Sequence, residues 1–560
     1  NDNVINKKIS LSNSTFNETR EFNKENCLSK LYIGNNVFEY EYDELGRIQN
    51  KKINNNSLTK YGYVTLGKKT SKLINYVNNN GNITKYRYDK MKNITHIYTN
   101  NVLTNRYFYD LNNQLIREDN YRLATTTKYK YDLEGNVLSK KICHLNTDEV
   151  ITVNNYTYGD SSWEDRLTKF NDKNITYDEI GNPTTIGQNI TLNWINGREL
   201  NSCTIDNKII NYDYNIDGIR TSKKINGVET KYYLENSKII VEKTNNNMIY
   251  YIYDDLGSII GFKYNNEMYY YMKNLQNDII EILDSNLNSI CKYTYDSFGN
   301  ILSIVNNNGL DISNDESHIA NINPFRYRSY YYDKETKLYY LNSRYYNPEW
   351  GRFINADGII GVEDNITKYN LFVYCENNFV NKVDYDGNLA ITVSAVSAIG
   401  TVLFLTAVYA GSKFVSKSLV QAAASLPDVK FPTKKETTKK EDKKKQEKKY
   451  VVYVLCTDKK CQDVVYVGRT NDFERRSDEH KRNPERKKLY AKIEKENLTY
   501  EQSRIYEQKL IEMYMTLNSG REGCNKRNGI NWDAPKNKGL KDYYDLYFNE
   551  DSLTYVGGCR

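Results

Sequence analysis

YKYDLEGNV, residues Tyr129–Val137, contains the pattern that decides the fold of most of this chain. Its tyrosines alternate with a lysine, which is typical of a strand that packs aromatic rings on one pleated face. Asp132 is followed three residues later by Gly135 and then Asn136, residue types that supply the positive φ of a tight turn. An apolar alternation then resumes. The stretch therefore predicts a strand, a turn and a second strand.

The same pattern recurs along more than half of the chain. Strong copies begin at Tyr40, Tyr86, Tyr107 and Tyr293, and weaker copies lie near Tyr177, Tyr212 and Tyr251. The best-spaced copies are about 21 residues apart, within the range of solenoid-like repeats. Such repeats cannot bury an apolar face alone and must stack into one continuous sheet. With 53 tyrosines and 13% aromatic residues, the composition also favours a mainly β fold.

Composition sets further bounds. The chain has 560 residues, too many for one ordinary domain, and a net charge of only +7. Nine cysteines, scattered singly, do not suggest a disulfide framework. Cys456 and Cys461 lack a second pair or a nearby histidine to complete a zinc site, so two loop cysteines are expected. Because Asn1 is not a methionine, we expect a fragment of a longer chain, with any export signal outside it.

A second long stretch, NPFRYRSYYYDKETKLYYLNSRYYNPEWGRFINADG, occupies Asn323–Gly358. Together with the repeats over roughly residues 35 to 350, it resembles the tyrosine/aspartate repeats and associated core of RHS-repeat polymorphic toxins. The resemblance implies a spiral β-shell over residues 1–322, a core segment over 323–388 that closes one end, and a variable toxin beyond it. A solid β-solenoid used as an adhesin is the alternative, and it explains the repeats but not the core segment.

In the resembling family the core ends in two aspartates that are similar to an aspartic protease pair. Asp357, in ADGIIG, and Asp384, in DYDG, match them, with Gly358 and Tyr385 in place of the family's prolines. The resemblance implies self-cleavage after Asn388. Two carboxylates that share a site separate their pKa values, so that one acts as base and the other as acid. Two ordinary turn aspartates are the alternative.

Two segments separate the core from the last unit. Residues 389–411 carry no charge and are long enough to span a bilayer, within an apolar segment, 389–432, expected to be helical. A permanent transmembrane helix, a helix sheltered by the repeats and a segment that assists membrane crossing are the three interpretations. A sheltered, translocation-linked helix fits best beside a cleavage site. Residues 433–449 are rich in lysine and are predicted to be a flexible linker.

Residues 450–560 are predicted to be a small α/β unit. The apolar runs YVVYVL and VVYVGRT, joined by a polar loop, predict a hairpin. Asp472 is placed to cap a helix on which Arg476 and His480, four residues apart, share one face. A second helix is predicted to begin at Thr499.

This unit resembles the GIY-YIG nuclease superfamily over about residues 450–530. The two motifs correspond to Val451-Val452-Tyr453, where Val451 replaces glycine, and to Tyr466-Val467-Gly468. The single residues that match the family's arginine, histidine, glutamate and asparagine are Arg476, His480, Glu507 and Asn525. Six matches in the right order carry the resemblance, whereas each residue alone has an ordinary structural explanation.

The resemblance implies a metal-dependent endonuclease. Glu507 would hold one Mg²⁺ or Mn²⁺, and Arg476 would neutralise the phosphate. Tyr453 and Tyr466 would orient the attacking water, one of them as general base. His480 would relay a proton or support the site, and Asn525 would brace it. Phosphate contacts are predicted for the basic residues Arg469, Arg475, Lys481 and Arg482.

The sequence thus predicts a secreted or cell-surface toxin whose nuclease is delivered into a target cell. DNA is the expected substrate and RNA the alternative. The resemblance implies a cognate immunity protein as partner, a transient membrane contact by residues 389–411 and a monomeric shell. The competing interpretation is a non-enzymatic, anchored adhesin with a basic nucleic-acid-binding tail.

Overall fold

A computed structural model of the chain describes residues 6–11, 14–66, 69–358, 369–388, 390–392, 449–457, 464–484, 486–498, 503–504 and 507. The described residues fall into two units, one before and one after residue 421.

Within the described residues of the first unit, 29 strands form one antiparallel sheet, in which each strand pairs with the next along the chain. The strands are β1 (Asn6–Leu11), β2 (Ser14–Phe22), β3 (Leu28–Ile33), β4 (Asn36–Tyr42), β5 (Ile48–Ile53), β6 (Asn56–Leu66), β7 (Lys69–Asn79), β8 (Asn82–Tyr88), β9 (Ile94–Thr99), β10 (Val102–Tyr109), β11 (Leu115–Asn120), β12 (Thr125–Tyr131), β13 (Val137–His144), β14 (Val150–Thr157), β15 (Lys169–Phe170), β16 (Lys173–Tyr177), β17 (Pro183–Ile186), β18 (Ile190–Ile195), β19 (Glu199–Ile205), β20 (Lys208–Tyr214), β21 (Arg220–Ile225), β22 (Val228–Glu235), β23 (Lys238–Thr244), β24 (Asn247–Tyr253), β25 (Ile259–Tyr264), β26 (Glu267–Lys273), β27 (Ile279–Leu283), β28 (Ser289–Tyr295) and β29 (Ile301–Asn306). The predicted mainly β fold and continuous sheet are confirmed.

The aspartate of each repeat closes the turn between two strands, as Asp132 does between β12 and β13. Its Oδ1 accepts the backbone N–H of Asn136 at 2.7 Å, and its Oδ2 accepts the Asn136 side chain at 2.9 Å. Gly135 takes the expected positive φ, at 86°, although in the repeat of β8 and β9 this φ falls on Lys92. The same bonds to the residue four positions later recur at Asp89, Asp110, Asp178 and Asp296.

The second tyrosine of each repeat connects it to the repeat before. Tyr131 donates its hydroxyl to the carbonyl of Leu115 at 2.6 Å, and Tyr109 donates to Ile94 at 2.7 Å. Equivalent bonds to carbonyls 14 to 21 residues earlier are made by Tyr42, Tyr63, Tyr88, Tyr158, Tyr214, Tyr253 and Tyr295. The Tyr-Asp pair of the motif therefore holds one turn and one repeat-to-repeat contact.

The sheet turns back on itself, so that its first strands pack against later ones. The ring of Phe16 in β2 stacks on Tyr250 in β24 at 5.3 Å, and Phe38 in β4 meets Tyr270 in β26 edge-on at 5.5 Å. Side chains of both groups of strands form one buried cluster. Burial of these faces fixes the register of the strands.

The segment after the repeats packs into the buried face of the sheet. It contains α1 (Ile319–Ile322), the four-stranded sheet β30 (Tyr331–Asp333), β31 (Leu338–Tyr340), β32 (Tyr345–Asn347) and β33 (Arg352–Phe353), the pair β34 (Lys382–Asp384) and β35 (Ala390–Thr392), and 3₁₀ turns at Tyr327–Ser329 and Cys375–Asn377. Its residues belong to the same two buried clusters as the repeats. Arg220 of β21 and Asp333 of β30, both fully buried, form an ion pair at 2.6 Å that joins segment to sheet.

The predicted helical segment 389–432 begins differently. Ala390–Thr392 is a strand that pairs with Lys382–Asp384, and its first two residues pack against the buried cluster beside it. Pairing with β34 gives these backbone groups partners that a helix would have supplied internally. The rest of the segment and most of the linker, 433–448, lie outside the described residues. No helix among the described residues is both long and apolar enough to cross a membrane.

The second unit consists, in its described part, of three strands and one longer helix. These are β36 (Tyr450–Cys456), β37 (Val464–Thr470), α2 (Phe473–Arg482) and β38 (Tyr490–Leu498), with β36 between the other two strands. The predicted hairpin and the helix capped by Asp472 are confirmed. Sequence analysis did not predict β38. The expectation of a loop cysteine is wrong for Cys456, which ends β36 and is disulfide-bonded; the described cysteines of the first unit are free.

Candidate functional site

The two strands of the hairpin bring both motif tyrosines to one place. Tyr453 of β36 lies opposite Gly468 of β37, two residues from Tyr466. A Cβ on Gly468 would stand 2.6 Å from the Tyr453 hydroxyl oxygen and 2.8 Å from the Tyr466 ring. Glycine at this position therefore lets the two rings approach, with centroids 6.4 Å apart.

Helix α2 adds two side chains to the tyrosines. Asp472 caps its first turn by accepting the N–H of Arg475 at 3.1 Å. One turn apart, Arg476 donates Nε–H to the Tyr453 oxygen at 3.3 Å, and His480 Nε2 lies 2.6 Å from that oxygen. The predicted shared face of Arg476 and His480 is confirmed by these two contacts.

The donors and acceptors in this cluster are consistent with one assignment of its protons. A guanidinium only donates, so the Tyr453 oxygen accepts from Arg476 and its own hydrogen is free to point at His480. If Tyr453 donates to His480, Nε2 is the acceptor and the neutral ring carries its hydrogen on Nδ1, which is the tautomer we assign. Burial, with Arg476 next, lowers the pKa of His480 to about 4, which agrees with a neutral ring. Burial also raises the pKa of Tyr453 above its ordinary value.

Glu507, the predicted metal ligand, lies in an ion pair. Its Oε2 accepts Nε–H of Arg469 at 2.7 Å, and both side chains are mostly buried. Burial raises the pKa of the Glu507 carboxyl, and the charge of Arg469 opposes that rise. A carboxylate is the donor type that Mg²⁺ and Mn²⁺ take, so Glu507 fits such an ion. Among the described residues, no group of three or more His, Cys, Asp or Glu side chains is placed to bind one metal ion.

Two of the four predicted phosphate contacts lie in ion pairs at exposed positions of α2. Arg475 pairs with Glu479, and Lys481 pairs with Asp478 at 2.9 Å. Arg482 is exposed on the same helix, whereas Arg469 faces Glu507. Exposed pairs of this kind are weak and exchange readily for phosphate.

Two residues near the tyrosines were not identified from sequence. The guanidinium of Arg486 lies 3.9 Å from the centre of the Tyr466 ring, and Glu479 holds Arg476 at 2.6 Å. Arg486 stands in the run ERKK, where nothing in the sequence distinguishes it from its neighbours. Of the predicted features, Asn525, Cys461 and the start of the helix at Thr499 lie outside the described residues.

A second polar cluster lies in the first unit, at the predicted protease pair. Nη2 of Arg344 lies 2.9 Å from Asp357 Oδ2 and 3.4 Å from Asp384 Oδ2, so one guanidinium contacts both carboxylates. Asp384 is almost fully buried, and its Oδ1 accepts the N–H groups of Gly387 at 2.9 Å and Asn388 at 3.1 Å. The two aspartates, 27 positions apart in β34 and after β33, therefore meet next to the predicted cleavage position.

Charge is unevenly balanced in this cluster. Burial raises the pKa of Asp384 to about 7, Arg344 opposes the rise, and Asp386 and Asp357 add to it. One guanidinium faces two carboxylates here, so the uncompensated negative charge favours the protonated form of Asp384. Tight packing also surrounds Gly387, where a Cβ would stand 2.7 Å from Ser343 Oγ and 2.8 Å from the Leu341 carbonyl.

Comparisons with known proteins give partial similarities. No family model matches the chain. The tRNA3(Ser)-specific nuclease WapA of Bacillus spizizenii is 31% identical over 283 residues, 49% of this chain and 11% of that protein. The tRNA nuclease WapA of Bacillus subtilis strain 168 is 33% identical over 283 residues, again 49% and 11%. Salivary gland surface protein 1 of Aedes aegypti is 26% identical over 205 residues, 33% of this chain and 6% of that protein.

Similarity to solved structures is weaker. The crystal structure of TcdB2-TccC3-TEV matches with a TM-score of 0.48 and 18% identity, over 67% of this chain and 22% of that chain. Similarity at this level carries no functional argument. The chain spans about a tenth of the length of the curated tRNA nucleases it matches, and it is similar to them over about half of its own length.

Proposed function

We propose that the chain is part of a secreted or cell-surface RHS-repeat toxin and that its second unit is a GIY-YIG-type endonuclease. One observation carries the proposal: Arg476 and His480 converge on the hydroxyl of Tyr453, beside Tyr466. A strand tyrosine or a helix arginine alone is ordinary. Four motif residues from two strands and a helix at one point form the kind of constellation that phosphodiester cleavage needs.

Each residue has a role set by its position. Arg476 is partly exposed and neutralises non-bridging phosphate oxygens with the donors that Tyr453 and Glu479 leave unused. Tyr466 is half-buried and is the tyrosine that can orient a water at the surface and take its proton. Tyr453 is 1% exposed, so it positions Arg476 and His480 rather than touching the substrate.

The metal and the outer contacts complete the proposal. When bound, Mg²⁺ or Mn²⁺ supplies charge relief at the phosphate and at the leaving oxygen. Glu507 would hold it together with water molecules, and Asn525 would support the site. The residues that would contact flanking phosphates are Arg469, Arg475, Lys481 and Arg482.

The substrate we propose to test first is structured RNA. Two relatives are named as tRNA nucleases, so tRNA takes precedence over the DNA that the resemblance suggested. The alternative is a non-enzymatic adhesin. The repeats do not distinguish a toxin from an adhesin, because a salivary-gland surface protein is also similar to this chain. Only the second unit distinguishes the two. A cognate immunity protein and a membrane contact by residues 389–411 belong to the same toxin proposal.

The experiment uses the whole chain with a tRNA transcript and with plasmid DNA, each with Mg²⁺ or with EDTA. We expect cleavage of at least one substrate and a loss of about a hundredfold or more in Arg476→Ala. Lys492→Gln is the control, because it removes a surface ion pair of β38, 3.0 Å long, and Lys492 pairs with Val454, on the opposite sheet face from Tyr453. A folded chain that cuts neither nucleic acid under any condition would contradict the proposal and favour the adhesin.

We also propose that the core segment cleaves the chain after Asn388. Arg344 holds Asp357 and Asp384 together, and the pKa of Asp384 lies close to 7, so this carboxyl can take up or release a proton at neutral pH. The N–H of Asn388 donates to Asp384, which keeps the carboxyl within one residue of the proposed bond. A water activated by the ionised carboxylate would add to the Asn388 carbonyl while the other carboxyl protonates the leaving amine.

The mass of the purified chain tests this proposal. We expect a break after residue 388 in the wild type, and an intact chain in Asp384→Asn and in Asp357→Asn. The control is Asp284→Asn, since Asp284 accepts turn amides at 2.9 and 2.8 Å as ordinary turn aspartates do. If Asp384→Asn is cut as completely as the wild type, the two core aspartates are turn residues only.

A further inference from the structure

We infer that Arg469 and Glu507 form an exchangeable pair that makes divalent cation and nucleic acid bind cooperatively. In the free chain Arg469 binds Oε2 of the Glu507 carboxylate. A phosphate that draws the guanidinium away would leave that oxygen available to a cation. The inference rests on the proposed nuclease and specifies the order in which its site is assembled.

The first step is the strength and position of the pair. The Glu507 charge acts on the hydroxyl of Tyr453, and the charge of Arg476 acts on Glu507, so the pair lies within electrostatic reach of the tyrosine cluster. The bond from Nε to Oε2 is 2.7 Å long, and the side chains of Arg469 and Glu507 are 20% and 13% exposed. A charge-assisted bond with this little exposure is stronger than the exposed pairs of α2.

A cation that approaches Glu507 would meet positive charge from nearby arginines. The positive groups that act on the Glu507 carboxylate are, in order of effect, Arg469, Arg504 and Arg476. A divalent ion approaching Glu507 would face these guanidiniums at short range and would have to displace Arg469 from Oε2. The site without nucleic acid therefore has low affinity for Mg²⁺ or Mn²⁺, although it contains the right donor.

The third step is the effect of a phosphate. Guanidinium binds a phosphate through paired N–H donors at least as well as it binds one carboxylate oxygen. When Arg469 turns to a phosphodiester, Glu507 loses its counter-charge, and the phosphate adds negative charge beside it. Both changes favour the cation. By linkage, the cation must tighten nucleic-acid binding by the same factor.

The experiment measures Mn²⁺ binding to the whole chain by the electron paramagnetic resonance signal of free Mn²⁺. Glu507→Gln defines the binding that depends on Glu507. Without nucleic acid we expect Arg469→Gln to tighten that binding by about tenfold, since removing a close charge repulsion of this kind is worth at least that much. Lys492→Gln, which breaks the exposed pair with Glu494, should leave the affinity at the wild-type value.

A second measurement needs no variant and so does not depend on folding. A phosphorothioate oligoribonucleotide, chosen because it is cut slowly, should tighten Mn²⁺ binding to the wild type by about the same tenfold. Mn²⁺ should lower the dissociation constant of the oligonucleotide equally. In Arg469→Gln the oligonucleotide should add little.

Several outcomes would overturn the inference. Equal Mn²⁺ affinity in the wild type and a folded Arg469→Gln variant would show that Arg469 does not cover the site. Equal Mn²⁺ affinity of the wild type with and without oligonucleotide would show the same. If no binding depends on Glu507 but the chain still cuts RNA, the pair has no role in metal binding, and the proposed nuclease stands on its cleavage assay alone.

Discussion

Tyrosine hydroxyls have different partners in the repeat sheet and in the C-terminal unit. In the sheet, Tyr131 and its equivalents donate to backbone carbonyls of the preceding repeat. In the C-terminal unit, the hydroxyl of Tyr453 lies between two side chains, Arg476 and His480. Backbone partners give the repeats one recurring contact, whereas the Tyr453 hydroxyl lies between a guanidinium and an imidazole. The partner, more than the residue type, separates architecture from chemistry here.

Aspartates show the same contrast within the first unit. Asp132 uses both oxygens to close its own turn, next to solvent. Asp384 also closes a turn, but it is buried and shares the guanidinium of Arg344 with Asp357. A turn motif of Asp and Gly is therefore compatible with both roles. The proton affinity of Asp384 is changed by its burial and by the second carboxylate. The Asp-Gly sequence motif has no such effect.

The largest effect on the architecture is expected at Arg220. Arg220→Ala leaves Asp333 fully buried with only Lys223 as counter-charge, and empties a site lined by tyrosine rings such as Tyr340, 4.2 Å away. We expect the first unit to lose about 3 to 5 kcal/mol of stability. Urea unfolding followed by tryptophan fluorescence measures it, because Trp163, Trp194 and Trp350 lie in this unit. Nucleic-acid cleavage by the folded chain should not change.

A matched pair of variants separates charge from packing at this site. Lys224→Ala, on the same strand but exposed, should change the unfolding midpoint very little. Arg220→Met combined with Asp333→Asn should recover part of the loss, because no unpaired charge remains buried. If the double variant is as unstable as Arg220→Ala, lost packing rather than the buried carboxylate is responsible.

The next largest effect is expected on activity, at Tyr453. Tyr453→Phe removes the oxygen that accepts from Arg476 and lies 2.6 Å from His480 Nε2, so both lose their shared partner. We expect cleavage to fall by about a hundredfold, with kcat affected more than KM. Steady-state kinetics on the substrate identified for the wild type measure it. Wild-type kinetics in Tyr453→Phe would show that the hydroxyl only packs, as most strand tyrosines do.

The repeats were predictable from sequence because the residues within each repeat specify its two strands and its turn. Alternating aromatics and a turn with Asp followed by Gly or Asn recur in many copies. A single copy that departs from the pattern therefore does not change the predicted fold. The contacts between distant parts were not predictable. Nothing in the sequence indicates that Arg220 pairs with Asp333, more than a hundred positions later, since that pairing follows from how the sheet closes.

The C-terminal site was predictable to the extent that its spacing is local. Arg476 and His480 share a helix face, and the structure brings both to Tyr453. The strand β38 was missed because four of the nine residues of Tyr490–Leu498, YAKIEKENL, are Lys or Glu, which are depleted in strands. The Arg469–Glu507 pair was missed because it joins two elements whose approach no sequence pattern describes.

A smaller effect is expected when a repeat tyrosine loses its hydroxyl. Tyr131→Phe keeps the ring and removes only the bond to the Leu115 carbonyl. We expect a loss of about 1 kcal/mol in the first unit, measured by urea unfolding, and unchanged cleavage. This result, set beside Tyr453→Phe, tests whether hydroxyl partners separate the two regions. A loss of nuclease activity in Tyr131→Phe would contradict this distinction between the two regions.

The last expected effect is the absence of a change. His480 should stay neutral between pH 8 and 5, because burial, with the nearby charge of Arg476 next, lowers its pKa to about 4. Nuclear magnetic resonance of the chain labelled at its four histidines follows the ring, and His480→Gln identifies its signal. The nitrogen shifts should report hydrogen on Nδ1.

The sign of the linked stability change follows from that lowered pKa. In the unfolded chain the ring takes up a proton near pH 6.5, whereas in the folded unit it resists protonation until about pH 4. Neutral His480 therefore supports the folded unit fully above about pH 6.5, and this support is lost as the pH falls toward 4. His480→Gln should flatten that part of the profile. A histidine that titrates near 6.5 in the folded chain would mean that Tyr453 does not donate to it, and the proton arrangement at the tyrosine would have to be reversed.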